Sequence, residues 1–132
     1  MEILRRENYP EYEAFVSGHP RGEFTQSTRW QQVKNNWQWE AVVSRDGTGA
    51  IVGACGVLIQ KVPLFGTAFL YAPRGPVCDP HDKAVLADLK AGVDALAKTY
   101  RAHTFKWDPD VLASDEATLR NMEELGFSRF YG

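Results

Sequence analysis

Residues 74–79, with the sequence Arg-Gly-Pro-Val-Cys-Asp, form a turn at a place where an anion could bind. The turn follows a run of strand-forming residues and precedes a long amphipathic helical pattern. Free backbone N–H groups and the helix dipole converge at such a junction, which favours phosphate or carboxylate. Pro76 removes one N–H group from the turn, and Asp79 adds a negative charge beside it. The segment therefore predicts a poor cradle for a pyrophosphate.

Other chemically active residues show no catalytic or metal-binding spacing. No Ser-His-Asp or Cys-His arrangement is readable, and His19 and His81 have no partners at ligand spacing. Cys55 and Cys78 lack a metal-binding or redox spacing, so we expect buried, reduced thiols. The sequence therefore predicts no metal site.

Length and composition indicate one globular domain over residues 1–132. The chain is 44% apolar and 24% charged with a net charge of −2, which excludes disorder and gives no global sign of nucleic-acid binding. No apolar stretch is long enough to span a membrane, and no signal peptide is visible. These features favour a cytoplasmic protein.

The first half of the chain predicts helices followed by a meander. Asn8 is a good N-cap for a first helix that Gly18 ends, and a second helix is expected over residues 27–35. Three strands joined by short turns then predict an antiparallel meander; they span residues 39–45, 50–62 and 67–72.

The second half changes to a helical period. Asp79 is expected to cap a helix with an apolar stripe from Val85 to Tyr100. A short strand over residues 104–107 follows, then a helix capped by Ser114 and ended by Gly126. This α+β order, a mixed sheet flanked by helices, resembles the acyl-CoA N-acyltransferase (GNAT) fold.

Three segments carry a more specific resemblance. Residues 25–37 are similar to the Gln-Ser-x-x-Trp-x-x-Val-Lys stretch of the FemABX family of peptidoglycan interpeptide-bridge peptidyltransferases. Residues 74–79 are similar to its Arg/Lys-Gly-Pro-Val-x-Asp turn, and residues 105–111 to its strand that ends in Asp-Pro. Family members carry two GNAT-like domains, and this chain resembles the first.

The resemblance implies an acyltransferase. Its donor would be aminoacyl-tRNA, a co-substrate, with no further cofactor. The acceptor would be the stem peptide of a UDP-linked or lipid-linked muropeptide precursor. A second domain would contact the tRNA, and the enzyme would be cytoplasmic and could act at the inner face of the membrane. The rival classes are a stand-alone GNAT acetyltransferase and a non-catalytic precursor-binding domain.

The resemblance also implies roles for individual residues. Lys34 would bind the diphosphate of the precursor, although it could equally be a solvated lysine near a helix end. Trp37 would form a wall of the ligand cleft, or seal the core together with Trp39.

Further candidates come from the other two segments. Asp108 would hold the acceptor amine and take its proton, or would merely cap the following loop. His103 stands where some family members have a tyrosine and could contact a ligand, although a histidine at a strand start is commonly structural. Arg74, in the turn, completes the predicted substrate-binding residues.

Overall fold

The computed structural model describes residues 1–22, 26–28, 38–62, 66–107 and 114–127. The helices within these ranges are α1 (Tyr9–Gly18), α2 (Lys83–Tyr100) and α3 (Glu116–Glu124), and a 3₁₀ turn, Arg6–Asn8, precedes α1. The strands are β1 (Glu2–Ile3), β2 (Gln38–Arg45), β3 (Ile51–Val62), β4 (Thr67–Ala72), β5 (Val77–Cys78) and β6 (Ala102–Trp107).

The strands form one mixed sheet in the order β1-β2-β3-β4-β6, and β5 pairs with β3. Strands β2, β3 and β4 run antiparallel, which confirms the predicted meander. Strand β6 lies parallel to β4, and α2 makes the crossover between them. Strands β1 and β5 were not predicted, because two residues carry no readable period.

The sheet is covered on both faces because its strands alternate. One set of side chains, including Val42, Val57 and Leu70, packs against Leu86 and Leu89 of α2. The other set, including Ala41, Val43 and Leu58, packs against α1. Each face thus has its own apolar core, and the predicted mixed sheet flanked by helices is confirmed.

The two cysteines lie on the α2 side of the sheet. Cys55 and Cys78 are buried free thiols, as expected. Burial raises the pKa of Cys55, and it raises the pKa of Cys78 to about 12. Both thiols therefore stay protonated and behave as small apolar groups.

Two predicted helix caps were wrong. Asp82, not Asp79, caps α2 and accepts a hydrogen bond from the Val85 N–H at 3.2 Å. Asp79 instead accepts from the N–H of His81 in a turn that precedes the helix, which begins at Lys83. Asp115, not Ser114, caps α3, because its two oxygens satisfy both the N–H and the hydroxyl of Thr118.

The remaining helix boundaries agree with the sequence. Asn8 precedes α1 as predicted, although its side chain makes no capping hydrogen bond. Gly126 follows α3 with a φ of +93°, which suits glycine. The predicted helix over residues 27–35 lies almost wholly outside the described residues. None of the described helices is both long and apolar enough to cross a membrane.

Candidate functional site

The carboxyl ends of β4 and β6, after which Arg74 and Asp108 follow in the sequence, lie side by side in the sheet. The two strands are parallel, and Ala72 lies opposite Trp107 at their ends. Arg74 comes two residues after β4, and Asp108 is the next residue in the sequence after Trp107. Ligands of open sheets bind beyond the carboxyl ends of parallel strands.

The predicted site residues are only partly described. Lys34, Trp37 and Asp108 lie outside the described residues, so their roles remain predictions. Arg74 is described and its side chain is exposed. Trp39, the alternative partner of Trp37 in sealing the core, is 7% exposed and packs edge-on against Tyr12.

His103 lies at the opposite end of β6 from Arg74. It comes four residues before Trp107, or roughly 13 Å along the strand. Its Nδ1 atom is 3.2 Å from the Thr67 hydroxyl, and its ring is 6.5 Å from that of Phe69. The structure does not bring His103 and Arg74 together, and a ligand role for His103 stays a prediction.

A two-residue bulge separates β4 from β5. The pairing of β3 with β4 ends at Leu58 and Tyr71, and its pairing with β5 resumes at Ala54 and Val77. Strand β3 advances four residues across this gap while the facing chain advances six. The bulge contains the turn at residues 73–76, and its Gly75–Pro76 peptide bond is cis.

The side-chain amide of Gln26 fills the gap in the ladder. Its Oε1 accepts from the Gly56 N–H at 2.8 Å, and its Nε2 donates to the carbonyls of Gly56 and Pro73, each at 3.0 Å. Pro73 has no N–H to offer the Gly56 carbonyl. Gln26, which is 0% exposed, therefore makes the hydrogen bonds to Gly56 that a paired strand residue would otherwise make.

Gly56 is needed because two side chains occupy the space that a Cβ atom would take. A Cβ atom there would lie 2.7 Å from the Tyr12 hydroxyl and 2.9 Å from the Trp39 ring. Gly75, in the turn, is similarly close, since a Cβ would lie 2.7 Å from Gln26 Oε1. Gly75 therefore leaves room for the Gln26 amide, and Gly56 leaves room for Tyr12 and Trp39.

Helix α1 holds the segment that carries Gln26. The buried Tyr12 hydroxyl donates to the Gln26 carbonyl at 2.5 Å, and burial raises the pKa of Tyr12 well above its usual value. The next residue, Glu13, accepts from the Ser27 hydroxyl and from the N–H and hydroxyl of Thr28, each at 2.8 Å. In sequence, this segment leads towards Lys34 and Trp37.

Glu13→Gln is expected to destabilise the fold by about 1 kcal/mol at pH 7, because a charge-assisted acceptor is lost at a partly solvated site. Burial raises the pKa of Glu13, but hydrogen bonds from Thr28 and Ser27 outweigh it, and the net pKa lies below 4.5. The contribution of a group whose folded pKa is lowered is complete above its unfolded pKa and is lost as the pH falls through the folded value.

Urea unfolding of both proteins across the acid range measures this effect. The stability difference should be constant above the ordinary pKa of 4.5 and shrink below it. A difference that persists unchanged at low pH would contradict the role of the Glu13 charge. Glu123→Gln, at the exposed end of α3, is a control that leaves residues 26–28 untouched.

The start of α2 is already occupied by carboxylates. Asp82 accepts from the Val85 N–H, and Asp79 accepts from the His81 N–H. The turn before the helix contributes Pro76, which has no N–H, and Gly75, whose N–H donates to the Ala72 carbonyl at 3.1 Å. A pyrophosphate would meet negative charge and few free donors here.

Two polar features were not recognised from the sequence. Gln26 was seen only as part of a motif, since its role depends on a register that no local pattern reveals. His81 was assigned no chemistry, yet its Nε2 atom lies 2.9 Å from Asp115 and links the start of α2 to that of α3. Across the described ranges, His, Cys, Asp and Glu form no group of three or more able to hold a metal.

The fold defined by this sheet and its helices is that of the GNAT acyltransferases. The solved structure of a probable acetyltransferase superposes with a TM-score of 0.68 at 10% identity, covering 99% of this chain and 92% of that one. A ribosomal-protein-alanine N-acetyltransferase from Brucella melitensis superposes with a TM-score of 0.62 at 13% identity, covering 99% and 94%. The predicted GNAT-like fold is confirmed.

Within that class, the chain belongs to the FemAB family, whose model matches residues 8–124. A lipid II:glycine glycyltransferase of Staphylococcus aureus is 38% identical over 122 residues, or 89% of this chain and 28% of that protein. The crystal structure of FemX superposes with a TM-score of 0.80 at 33% identity, covering 97% of this chain and 32% of that one. The chain spans less than a third of the length of these relatives.

Proposed function

We propose that this chain is the first GNAT-like domain of an aminoacyl-tRNA-dependent peptidyltransferase. It would bind the acceptor, the stem peptide of a UDP-linked or lipid-linked muropeptide, to which amino acids are added for interpeptide bridges. The observation that carries this proposal is the 38% identity to a lipid II:glycine glycyltransferase over 89% of the chain. The FemX superposition supports it.

The reaction proposed is aminolysis of an ester. The acceptor amine attacks the carbonyl carbon of the aminoacyl ester, an amide C–N bond forms, and the C–O bond to the tRNA ribose breaks. The amine proton passes to Asp108, and the released ribose oxygen takes up a proton. The ester is already activated, so the chain's part is to hold and orient the amine.

A stand-alone acetyltransferase is less well supported by the start of α2. Coenzyme A would need donors for its pyrophosphate at a helix N-terminus. Here Asp82 caps that terminus and Pro76 stands in the turn. The fold alone does not decide between the two activities, because one fold serves many functions.

The rest of the proposed enzyme would supply the donor side. The chain has a net charge of −2, whereas tRNA binding is dominated by phosphate contacts. We therefore assign aminoacyl-tRNA to a second domain, with no further cofactor, and place the enzyme in the cytoplasm at the inner face of the membrane. A non-catalytic precursor-binding domain, the other rival class, would use the same acceptor site in this chain.

Calorimetric titration separates these functions. A UDP-linked muropeptide is expected to bind weakly and saturably, because Lys34 and the carboxyl ends of β4 and β6 serve the acceptor. Coenzyme A and acetyl-coenzyme A are expected to give only heats of dilution. Tight, stoichiometric binding of acetyl-coenzyme A would contradict the proposal and favour the acetyltransferase.

A further inference from the structure

The turn between β4 and β5 exposes a single side chain. In the fully described stretch from residue 72 to residue 78, Arg74 is exposed and every other residue is buried. The buried residues are Ala72, Pro73, Gly75, Pro76, Val77 and Cys78. The turn thus places one guanidinium at the surface, beyond the carboxyl end of β4.

The backbone of Arg74 is in a conformation that arginine rarely adopts. Its φ is +56°, in the left-handed region that glycine enters without penalty. Such conformations cluster at functional sites, where the surrounding structure holds them in place. Glycine would adopt this φ without strain, yet position 74 carries an arginine whose side chain is exposed.

Arg101 provides an instructive contrast. It also has a positive φ, +55°, but it directly follows α2 and its N–H donates to the carbonyls of Ala97 and Lys98. Helix ends commonly adopt this conformation. Arg74 follows a strand, and no helix end accounts for its backbone.

The neighbours of Arg74 fix its position from both sides. The Pro73 carbonyl accepts from the buried Gln26 amide at 3.0 Å, and the Gly75 N–H donates to the Ala72 carbonyl at 3.1 Å. Val77 then pairs with Ala54 of β3. A buried amide and a strand pairing therefore hold a turn whose exposed part is one arginine.

We propose that Arg74 binds an oxyanion of the acceptor, either a phosphate or a carboxylate. This inference rests on the proposed function. It gives the acceptor site a second cationic side chain in addition to Lys34. A guanidinium presents a planar fork of donors that matches either group in a bidentate arrangement. Its place beyond the carboxyl ends of β4 and β6 is where a ligand of the sheet would lie.

Arg74→Gly tests the inference. Glycine adopts the left-handed backbone without strain, so we expect the chain to stay folded, and a thermal melting curve checks this. The affinity for a UDP-linked muropeptide should fall roughly ten- to a hundred-fold, as for loss of a charge-assisted contact. Arg101→Gly is the matched control, since it relieves the same backbone conformation and should leave the affinity unchanged.

Two further probes identify the anion. A loss of affinity for UDP alone would assign Arg74 to phosphate, and a loss for the muropeptide without its nucleotide would assign it to carboxylate. Arg74→Gly binding both probes and the whole precursor as the unmutated chain does would overturn the inference while leaving the proposed function intact. If the unmutated chain binds none of the three, the proposed function fails and the inference fails with it.

Discussion

Gln26→Leu is expected to lower the free energy of unfolding by about 3–9 kcal/mol. Leucine fills a similar volume but leaves three buried backbone groups unsatisfied, each of which costs about 1–3 kcal/mol. These groups are the N–H and C=O of Gly56 and the C=O of Pro73. Because small domains are stable by only about 5–15 kcal/mol, the variant should be close to unfolding at 37 °C.

Urea titration monitored by tryptophan fluorescence measures this loss. Gln60→Leu is the matched control, because Gln60 lies on β3 as well but is exposed, and its replacement should change stability by no more than about 0.5 kcal/mol. A loss below about 1 kcal/mol for Gln26→Leu would mean that the gap in the ladder closes without the amide.

Lys34→Ala is expected to weaken binding of a UDP-linked muropeptide by about ten- to a hundred-fold, corresponding to about 1.5–3 kcal/mol for a lost charge-assisted contact to phosphate. The thermal unfolding of the chain should not change, since a diphosphate-binding lysine adds little to the fold. Calorimetry with the unmutated chain as reference gives both dissociation constants.

Lys98→Ala serves as the control for Lys34→Ala. Lys98 is an exposed lysine near the end of α2, so its removal changes the net charge equally. Equal affinities for the two variants would place Lys34 among the solvated surface lysines and leave the diphosphate without its predicted partner.

Local sequence patterns predicted the strands and helices better than the residues that cap the helices. Strands β2, β3 and β4 were found because alternating residues reveal a strand that is at least half buried. Asp79 and Ser114 were chosen as caps because both are good capping residues, but Asp82 and Asp115 lie where the helices begin. A choice between neighbouring capping residues depends on turns that the sequence leaves open.

The sequence predicted the candidate site only as separate motifs along the chain. The resemblance named residues 74–79 and 105–111 as separate motifs, and the structure adds that β4 and β6 pair in parallel. The role of Gln26 could not be read, because it depends on a two-residue bulge opposite β3, and Gln26 lies 30 residues from Gly56 in the sequence. His81 and Asp115 likewise meet only through the packing of α2 and α3.

The two-residue bulge opposite Gly56 makes residue 26 and the length of the 73–76 turn depend on each other during evolution. A relative that lost two residues from the turn at 73–76 could run β4 into β5 without interruption, and a glutamine at position 26 would then have no backbone to bind. A relative that lost the glutamine would need a shorter turn or another buried amide. Gln26 and the length of the 73–76 turn should therefore change together or not at all among homologous sequences.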